Sequence, residues 1–197
     1  MSEGHGALVL VVGPSGAGKD TLMRAAAERL RDQSTFLFPR RMVTRVSDGR
    51  HEDHDSISRE DFDFLVSRDR YTLAWEAHGL GYIIPQSVEE EVRTGRIAVC
   101  NVSRSVVDVA TRHAINCAVI LVTADHAVRE ARLNQRQRDS DGDLQKRLER
   151  EGSGFPEGVQ PFIVDNSGEL ERGIAAFLDA LLSVQNELGN GRRRQNA

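Results

Sequence analysis

The sequence of 197 residues predicts an α/β fold in which a mostly parallel sheet is flanked by helices. Two observations carry this prediction. Short apolar runs rich in β-branched residues, such as Ala7–Val12, are typical of strands buried on both faces. Segments with apolar residues near a 3.6-residue period, which is typical of amphipathic helices, alternate with these runs along the chain.

The elements follow one another in a regular order. The predicted strands are Ala7–Val12, Ile97–Cys100, Ala118–Thr123 and Phe162–Val164. The predicted helices are Asp20–Arg31, Gln86–Thr94, Ser105–Arg112, Asp125–Arg136, Leu144–Arg150 and a last helix whose apolar face runs from Leu170 to Leu182.

Three segments fall outside this alternation. Pro39–Asp63 and Gln135–Gly142 are polar, and long polar stretches within a domain are more often functional or mobile than filler. Gly189–Ala197 is typical of a disordered tail, in which Arg192–Arg194 are either solvated, the favoured interpretation, or a nucleic-acid contact. We therefore predict a single domain over residues 1–197, with its core at about 6–35, 84–135 and 146–187 and a tail at about 188–197.

The composition narrows the function classes. The sequence has 26 Lys and Arg against 30 Asp and Glu, a net charge of −4, so a strongly basic nucleic-acid surface is not expected. No apolar run reaches the roughly 18 residues of a membrane-spanning helix, and Met1–Gly6 lacks the basic region of a secretory signal. Cys100 and Cys117 lack CxxC spacing and are predicted to be buried, reduced thiols. We expect a cytoplasmic protein with a small-molecule substrate, no nucleic-acid or membrane partner, and either a monomer or a homodimer.

The strongest motif is a glycine-rich loop between the first predicted strand and helix. Its sequence GPSGAGK (Gly13–Lys19) matches GxxxxGK in the strand–loop–helix context that the motif requires, and predicts a P-loop NTPase fold. Glycines allow successive backbone N–H groups to converge on phosphate oxygens, and the next helix directs its positive end to the same place. We therefore expect ATP to bind the residues Gly13, Pro14, Ser15, Gly16, Ala17, Gly18, Lys19, Asp20 and Thr21.

The residue after the P-loop lysine departs from the motif. Asp20 stands where Ser or Thr would bind Mg²⁺. A carboxylate is a hard oxygen ligand, so Asp20 is the predicted Mg²⁺ ligand; the alternative is a helix N-terminal residue favoured by the dipole. Asn101 ends a buried strand where many P-loop proteins place an aspartate for Mg²⁺, and its lack of charge favours the metal role of Asp20.

Arginines form two further candidate groups. Arg41 and Arg45, four residues apart, would share one face of a strand with Thr44 on the other, and guanidinium forks suit phosphate oxygens. On the helix that begins near residue 125, Arg129, Arg132 and Arg136 fall on one face. This second group, together with Arg138 and Arg147, is predicted to neutralise the charge of the transferring phosphoryl group. The predicted catalytic residues are Lys19, Arg132, Arg136 and Arg147. Asn166, after the last strand, is either near the adenine or in a turn.

These residues carry a resemblance that covers the chain from Leu8 to about Leu182. GPSGAGKDTL resembles the P-loop of the guanylate-kinase-like branch of the nucleoside monophosphate kinases, and its Asp resembles that of the ribose 1,5-bisphosphate phosphokinases. The resemblance continues in RRMVTR, EDH, EDF, LAWEAHGLGY and NVSR, which begin at Arg40, Glu52, Glu60, Leu73 and Asn101.

The resemblance implies a nucleoside monophosphate kinase-like fold with an acceptor-binding excursion at about 36–83 and a lid at about 136–145. It implies transfer of a phosphoryl group from ATP, with Mg²⁺, to ribose 1,5-bisphosphate, giving 5-phosphoribosyl 1-diphosphate. The residues that it assigns to the acceptor are Arg41, Thr44, Arg45, His54, Trp75, His78, Tyr82, Asn101, Ser103 and Arg104.

Two positions count against a guanine nucleotide as acceptor. Guanylate kinases carry a glutamate where this sequence has Leu73, which accepts no hydrogen bond, and a tyrosine where it has His54. A site that hydrogen-bonds a base does not lose its partner cheaply. Two alternatives stay open: a guanylate kinase or other nucleotide kinase, and an inactive guanylate-kinase-like binding module.

Overall fold

The computed structural model describes residues 6–45, 54–112, 116–135 and 154–195. Its strands are β1 (Ala7–Val12), β2 (Phe36–Leu37), β3 (Arg41–Val43), β4 (His54–Ser56), β5 (Tyr71–Ala77), β6 (Leu80–Pro85), β7 (Ile97–Asn101), β8 (Cys117–Thr123) and β9 (Phe162–Asp165). Its helices are α1 (Lys19–Arg29), α2 (Arg59–Ser67), α3 (Ser87–Arg93), a 3₁₀ turn (Arg104–Val106), α4 (Val107–Arg112), α5 (His126–Gln135) and α6 (Leu170–Gln195).

The predicted mostly parallel sheet is confirmed. The main sheet has the order β2-β7-β1-β8-β9, and all of its neighbouring strands are parallel. The four strands predicted from apolar runs are its four longest members. Because all these strands run in one direction, their carboxyl ends meet along one edge, where ligands of such sheets bind.

Helices cover both faces of the main sheet. On one face, α1 and α6 bury Leu22, Ile174 and Phe177 against alternate residues of β1 and its neighbours. On the other face, α3 and α4 pack together with the cleft-facing side of β5 and β6. This three-layer packing explains why β1 is buried over its whole length.

A second sheet, which the apolar pattern did not predict, has the order β4-β3-β6-β5. Strand β3 pairs with β4 in parallel and with β6 antiparallel, and β5 and β6 form an antiparallel hairpin. Its strands β3 and β4 have only three residues each, too few to show an apolar alternation. Strand β2 belongs to the main sheet, so the second sheet begins at Arg41, within the predicted acceptor-binding region of about 36–83.

The C-terminal helix extends beyond its predicted end. We predicted a tail without structure from about residue 188, whereas α6 continues to Gln195. Elongating an existing helix costs far less than nucleating one, which accounts for the continuation through a polar sequence.

The two cysteines are free thiols in the main sheet. Cys100 is buried, and desolvation raises its pKa; desolvation also raises the pKa of Cys117 to about 11. Over the described residues, no helix combines the length and the apolar character needed to cross a membrane.

The contact between α2 and β6 gives a test of the second sheet. A Cβ placed on Gly81 would lie 2.6 Å from the ring of Phe62, which is buried between α2 and the sheet. We expect Gly81→Ala to lower the free energy of unfolding by about 1–3 kcal/mol through overpacking. Gly189→Ala is the matched control, because nothing lies within 4 Å of its Cβ position and alanine favours helix. Urea unfolding measures both; equal stability of Gly81→Ala and the wild type would contradict the packing.

Candidate active site

The P-loop lies between β1 and α1, as predicted, in a conformation that requires glycine. Gly13, Gly16 and Gly18 have φ angles of 149°, 80° and 92°. A Cβ on Gly13 would lie 2.1 Å from the carbonyl oxygen of Val122, and one on Gly18 would lie 2.4 Å from Nδ2 of Asn166. These glycines therefore allow neighbouring backbone to pack directly against the loop.

Lys19, the first residue of α1, turns back over the loop. Its Nζ donates to the carbonyl oxygens of Gly13 at 2.7 Å and Pro14 at 3.2 Å. The ammonium group is thus held over the concave side of the loop, where the backbone N–H groups that bind phosphate converge.

The opposite side of the P-loop is fixed by α5 and by the loop after β9. Arg132 Nη2 donates to the carbonyl of Asn166 at 2.9 Å, and Nη1 lies 3.5 Å from the carbonyls of Gly16 and Ala17. Asn166 is 2% exposed, and its Nδ2 donates to Ala17 O at 2.8 Å. Both side chains therefore position the P-loop. Arg132 was predicted to act on the transferring phosphoryl group, but here it contacts carbonyls of the loop. Asn166 was predicted to lie near the adenine, but here its amide hydrogen-bonds to the loop.

The loop after β9 is further ordered by Asp165 and Ser167. Ser167 donates to Oδ1 of Asp165 from its hydroxyl at 2.5 Å and from its backbone N–H at 3.0 Å. These hydrogen bonds lower the pKa of the Asp165 carboxyl. The hydroxyl of Ser167 also accepts from the N–H of Asp125 at 2.9 Å, which ties this loop to the start of α5.

Asp20 and Asn101 meet at the carboxyl end of β7. The Nδ2 group of Asn101 donates to Oδ1 of Asp20 at 2.6 Å. The other carboxylate oxygen of Asp20 makes no hydrogen bond to any described residue. The arrangement fixes the Asp20 carboxylate beside Lys19, at the position where a hydroxyl usually binds Mg²⁺ in P-loop proteins.

Next to this pair, a stack of side chains extends from the second sheet. Trp75 and Tyr82 are cross-strand partners on β5 and β6, with ring centroids 5.1 Å apart and planes 5° from parallel. The guanidinium of Arg41 lies 5.6 Å from the centroid of the Tyr82 ring, and its Nη1 reaches the carbonyl of Asn101 at 3.5 Å. Leu73, on the same face of β5, is 2% exposed and packs in the core.

Two separate spaces open at this edge of the sheet. A cleft of about 980 Å³ is lined by the start of the P-loop (Gly13–Ser15), by Ser103–Ser105, by Arg129 and by His78. A smaller cavity of about 140 Å³ is lined by Asp20, Arg24, Arg41 and Asn101, together with apolar residues of α1 and the segment after β2.

The large cleft contains several predicted acceptor residues. The guanidinium of Arg104 lies 4.9 Å from the ring centroid of Phe155, which holds it flat at the wall of the cleft. Ser103 precedes the 3₁₀ turn, and its Oγ accepts from the hydroxyl of Ser105 at 2.8 Å. His78 and Gly79 have φ angles of 54° and 73° and form the two-residue turn between β5 and β6, so His78 is presented at the tip of the hairpin.

The predicted strand geometry of Arg41, Thr44 and Arg45 is wrong. Strand β3 ends at Val43, and the N–H of Arg45 bonds to the carbonyl of Val43 at 2.8 Å, which turns the chain out of the strand. Arg45 is exposed after this turn and does not share a strand face with Arg41. Thr44 remains paired with Gly81, whose N–H donates to Oγ1 of Thr44 at 2.8 Å.

His54 is buried within the second sheet. It is 2% exposed, lies opposite Arg41 in the β3–β4 register, and accepts a hydrogen bond from Arg40 at its backbone carbonyl. The structure thus brings His54 near Arg41, but in the interior of the sheet and not at the wall of the large cleft.

Some predicted residues lie outside the described segments, and two further residues were missed. Arg136, Arg138, Arg147 and the lid at about 136–145 belong to a segment that the structure does not describe. Sequence analysis overlooked Arg24 and Phe155. The signal for Arg24 was its spacing of one helical turn from Asp20 on a predicted helix; no local signal placed Phe155 beside Arg104.

The amino-acid sequence matches a family model and several curated proteins. The profile of a family described as an AAA domain matches residues 8–151. The ribose 1,5-bisphosphate phosphokinase of Methylobacterium radiotolerans is 47% identical over 147 residues, which cover 75% of this chain and 83% of the relative. The ribose 1,5-bisphosphate phosphokinase of Acidiphilium cryptum is 43% identical over 177 residues, 90% of this chain and 93% of the relative. That of Brucella melitensis is 40% identical over 180 residues, 91% and 93% of the two chains.

Solved structures support the fold alone. A guanylate kinase from Anaplasma phagocytophilum superposes with a TM-score of 0.63 at 16% identity, covering 94% of this chain and 89% of that one. A gluconokinase from Sinorhizobium meliloti superposes with a TM-score of 0.52 at 20% identity, covering 95% and 98%. Because these sequence relatives are 40–47% identical over most of both chains, the chain belongs to the ribose 1,5-bisphosphate phosphokinase family.

Proposed function

We propose that this protein transfers the γ-phosphoryl group of ATP to the 1-phosphate of ribose 1,5-bisphosphate, giving ADP and 5-phospho-α-D-ribose 1-diphosphate. Membership of the family of that name carries the proposal. Its structural support is the large cleft, in which the P-loop faces Arg104, Ser103 and His78.

The P-loop and Lys19 supply the donor site. Backbone N–H groups of the loop surround the β- and γ-phosphates, and the Lys19 ammonium adds a positive charge at the same place. Arg132 and Asn166 hold the loop from behind, so its shape is formed before nucleotide binds. Preformed donors of this kind stabilise charge that develops during transfer without reorganising.

The surroundings of Leu73 favour a compact acceptor over a guanine nucleotide. Leu73 is buried in the core, and the stacked rings of Trp75 and Tyr82 pack beside it in the same apolar cluster. These groups offer a base no carboxylate to bond with, and a buried leucine would leave the N–H groups of guanine unpaired.

The reaction depends on positioning the donor and acceptor phosphates and on neutralising their negative charge, and it needs no general base. An oxygen of the acceptor phosphate bonds to the γ-phosphorus while the bond to the β–γ bridging oxygen breaks, and ADP leaves with that electron pair. A phosphate monoester is mostly ionised near neutral pH, because its second pKa is about 6, so no side chain has to remove a proton. The described residues then act by holding donor and acceptor in line and by neutralising charge. The cations are Lys19, whose ammonium group lies over the P-loop, and Arg104 and Arg129 at the wall of the cleft.

The donor set around Asp20 fits Mg²⁺. Asp20 offers a carboxylate that Asn101 holds in place, and no described group combines three or more His, Cys, Asp or Glu side chains in a metal-binding arrangement. One or two carboxylates together with substrate phosphates is the usual way in which proteins hold Mg²⁺. When bound, the ion would neutralise charge on the β- and γ-phosphates.

The acceptor is tested by supplying Mg·ATP with ribose 1,5-bisphosphate or with GMP and identifying the product by mass. We expect turnover with the bisphosphate and a new diphosphate product, with no phosphorylation of GMP. Turnover with GMP alone would contradict the proposed acceptor and favour a guanylate kinase. Turnover with neither, together with retained nucleotide binding, would favour an inactive binding module.

Lys19 gives the clearest test of the donor site. We expect Lys19→Met to lower kcat by about a hundredfold to a thousandfold, the usual effect of removing one preorganised donor from a transition state. Arg70→Met, an exposed cation outside both the cleft and the cavity, should leave kcat unchanged. Steady-state kinetics and melting temperatures separate lost chemistry from lost folding; a Lys19→Met enzyme with wild-type kcat would refute this role.

Asp20 tests the metal assignment. We expect Asp20→Ala to raise the Mg²⁺ concentration for half-maximal activity by about tenfold, because the site loses one negative charge. The gain in ATP affinity that Mg²⁺ produces in calorimetry should shrink in parallel. Asp20→Ser should restore much of both effects, since a hydroxyl is the usual ligand at this position. Asp32→Ala, which removes an exposed carboxylate, is the control. If Asp32→Ala raised the Mg²⁺ concentration for half-maximal activity as much as Asp20→Ala does, the effect would come from overall charge and the metal role of Asp20 would be refuted.

A further inference from the structure

The cavity between α1 and the second sheet has a shape and charge of its own. It measures about 140 Å³ and is separated from the large cleft, with which it shares no lining residue. Two of its lining residues are arginines, Arg24 and Arg41, and one is a carboxylate, Asp20. Its walls otherwise include Phe38 and Pro39, which limit the room for a large ligand. The lining of the cavity therefore has a net positive charge, and the cavity is large enough for a small anion such as the phosphate group of a sugar phosphate.

Arg41 is fixed in place but has hydrogen-bonding capacity left over. The Tyr82 ring, itself stacked on Trp75, supports its guanidinium, and its contact with the Asn101 carbonyl is long, at 3.5 Å. Its Nε is buried and has no hydrogen-bond partner within the described segments. A planar guanidinium held against an aromatic face, with donors left over, is well suited to a phosphate because it loses little conformational freedom on binding.

Arg24 reaches the same cavity from the other side. It lies one helical turn after Asp20 on α1 and is exposed, and it makes no hydrogen bond or ion pair with any described residue. Oppositely charged side chains four residues apart on a helix can pair. Asp20 and Glu28 are each four residues from Arg24, but Asp20 Oδ1 accepts from Asn101 and Glu28 Oε1 accepts from Arg31. Arg24 and Arg41 therefore face one cavity with donors available to the same ligand.

The cavity and the large cleft lie on either side of the end of β7. Asn101 lines the cavity, whereas Val102 and Ser103 line the cleft. The Cα atoms of Asn101 and Ser103 are at most about 7 Å apart, since each residue extends the chain by about 3.3–3.6 Å. A pentose with a phosphate at either end spans this distance. The start of the P-loop lines the cleft, so we place the transfer of the γ-phosphoryl group there.

We propose that Arg24 and Arg41 form a second phosphate site, which binds the 5-phosphate of the acceptor while its 1-phosphate lies in the cleft. This inference rests on the proposed function. It explains why the acceptor has to be a bisphosphate: the cleft holds the reacting phosphate, and the cavity holds the other as an anchor. An anchor remote from the reacting atoms supplies binding energy that orients the acceptor.

The experiment compares two monophosphates that each carry one half of the acceptor. Ribose 5-phosphate should inhibit competitively against ribose 1,5-bisphosphate through the cavity, and ribose 1-phosphate through the cleft. In Arg24→Gln and in Arg41→Gln we expect the KM for the bisphosphate and the Ki for ribose 5-phosphate to rise together. A rise of about tenfold to a hundredfold corresponds to one charged hydrogen bond. The Ki for ribose 1-phosphate and the KM for ATP should change less than twofold.

Controls separate this site from loss of folding. Arg93→Gln removes an exposed arginine of α3 that pairs with Glu89 one helical turn away and lines neither space, and it should leave all four constants unchanged. Arg41→Lys keeps the charge but not the planar fork, so it should restore part of the ribose 5-phosphate affinity. Melting temperatures within a few degrees of the wild type would exclude misfolding of the variants as the cause.

Each contrary result has a distinct meaning. Unchanged constants in both variants would refute the second site. A selective loss of ribose 1-phosphate affinity would place the reacting phosphate in the cavity and overturn the assignment of the two ends. If the wild type fails to turn over ribose 1,5-bisphosphate, the proposed function fails. Calorimetry with ribose 5-phosphate alone still tests the site: binding that depends on Arg24 and Arg41 supports it, and binding that does not refutes it.

Discussion

The close packing of the P-loop backbone against its neighbours is the constraint on which the site depends. Gly18 lies so near the Asn166 amide that a single added carbon would overlap it, and Asn166 in turn bonds to the Ala17 carbonyl. Arg132 completes the contact from α5. A loop with three glycines at positive φ is flexible in isolation, and these contacts select one conformation of it. Once the loop is fixed, Lys19 and Asp20 follow, because both lie in the first turn of the helix that the loop begins.

From this fixed point, a chain of contacts runs towards the acceptor side. Asp20 accepts from Asn101, the carbonyl of Asn101 meets Arg41, and Arg41 rests on Tyr82 and Trp75. The chain joins α1, the end of β7 and the second sheet, which are distant in sequence. Donor and acceptor residues are thereby held by packed side chains on regular elements, a more exact support than mobile loops provide.

Arginine carries much of the recognition, and its surroundings decide the role of each copy. Arg41 and Arg104 are each held flat against an aromatic ring at the walls of the two spaces. Arg132 is turned towards backbone carbonyls and supports the P-loop, whereas Arg45 is exposed beyond the end of its strand. These residues have the same side chain and similar sequence surroundings. Phosphate-binding arginines and structural arginines differ only in what the fold places beside them.

The sequence alone determined the main sheet, the helices around it and the P-loop, because these depend on apolar periodicity and on a short motif of glycines and lysine. It also singled out Asp20 as the Mg²⁺ ligand and Asn101 as an uncharged residue at the end of a strand, but it did not predict the hydrogen bond between them. Only the tertiary structure decided the second sheet, because β3 and β4 are too short to carry a periodic signal and are joined to the hairpin of β5 and β6 by pairing between residues distant in sequence. The tertiary structure also showed that Arg45 lies beyond the end of β3 and that the Asn166 amide hydrogen-bonds to the P-loop. The cavity of Arg24 and Arg41 needed the structure most, because α1 and β3 are brought together by long-range packing that local spacing does not encode.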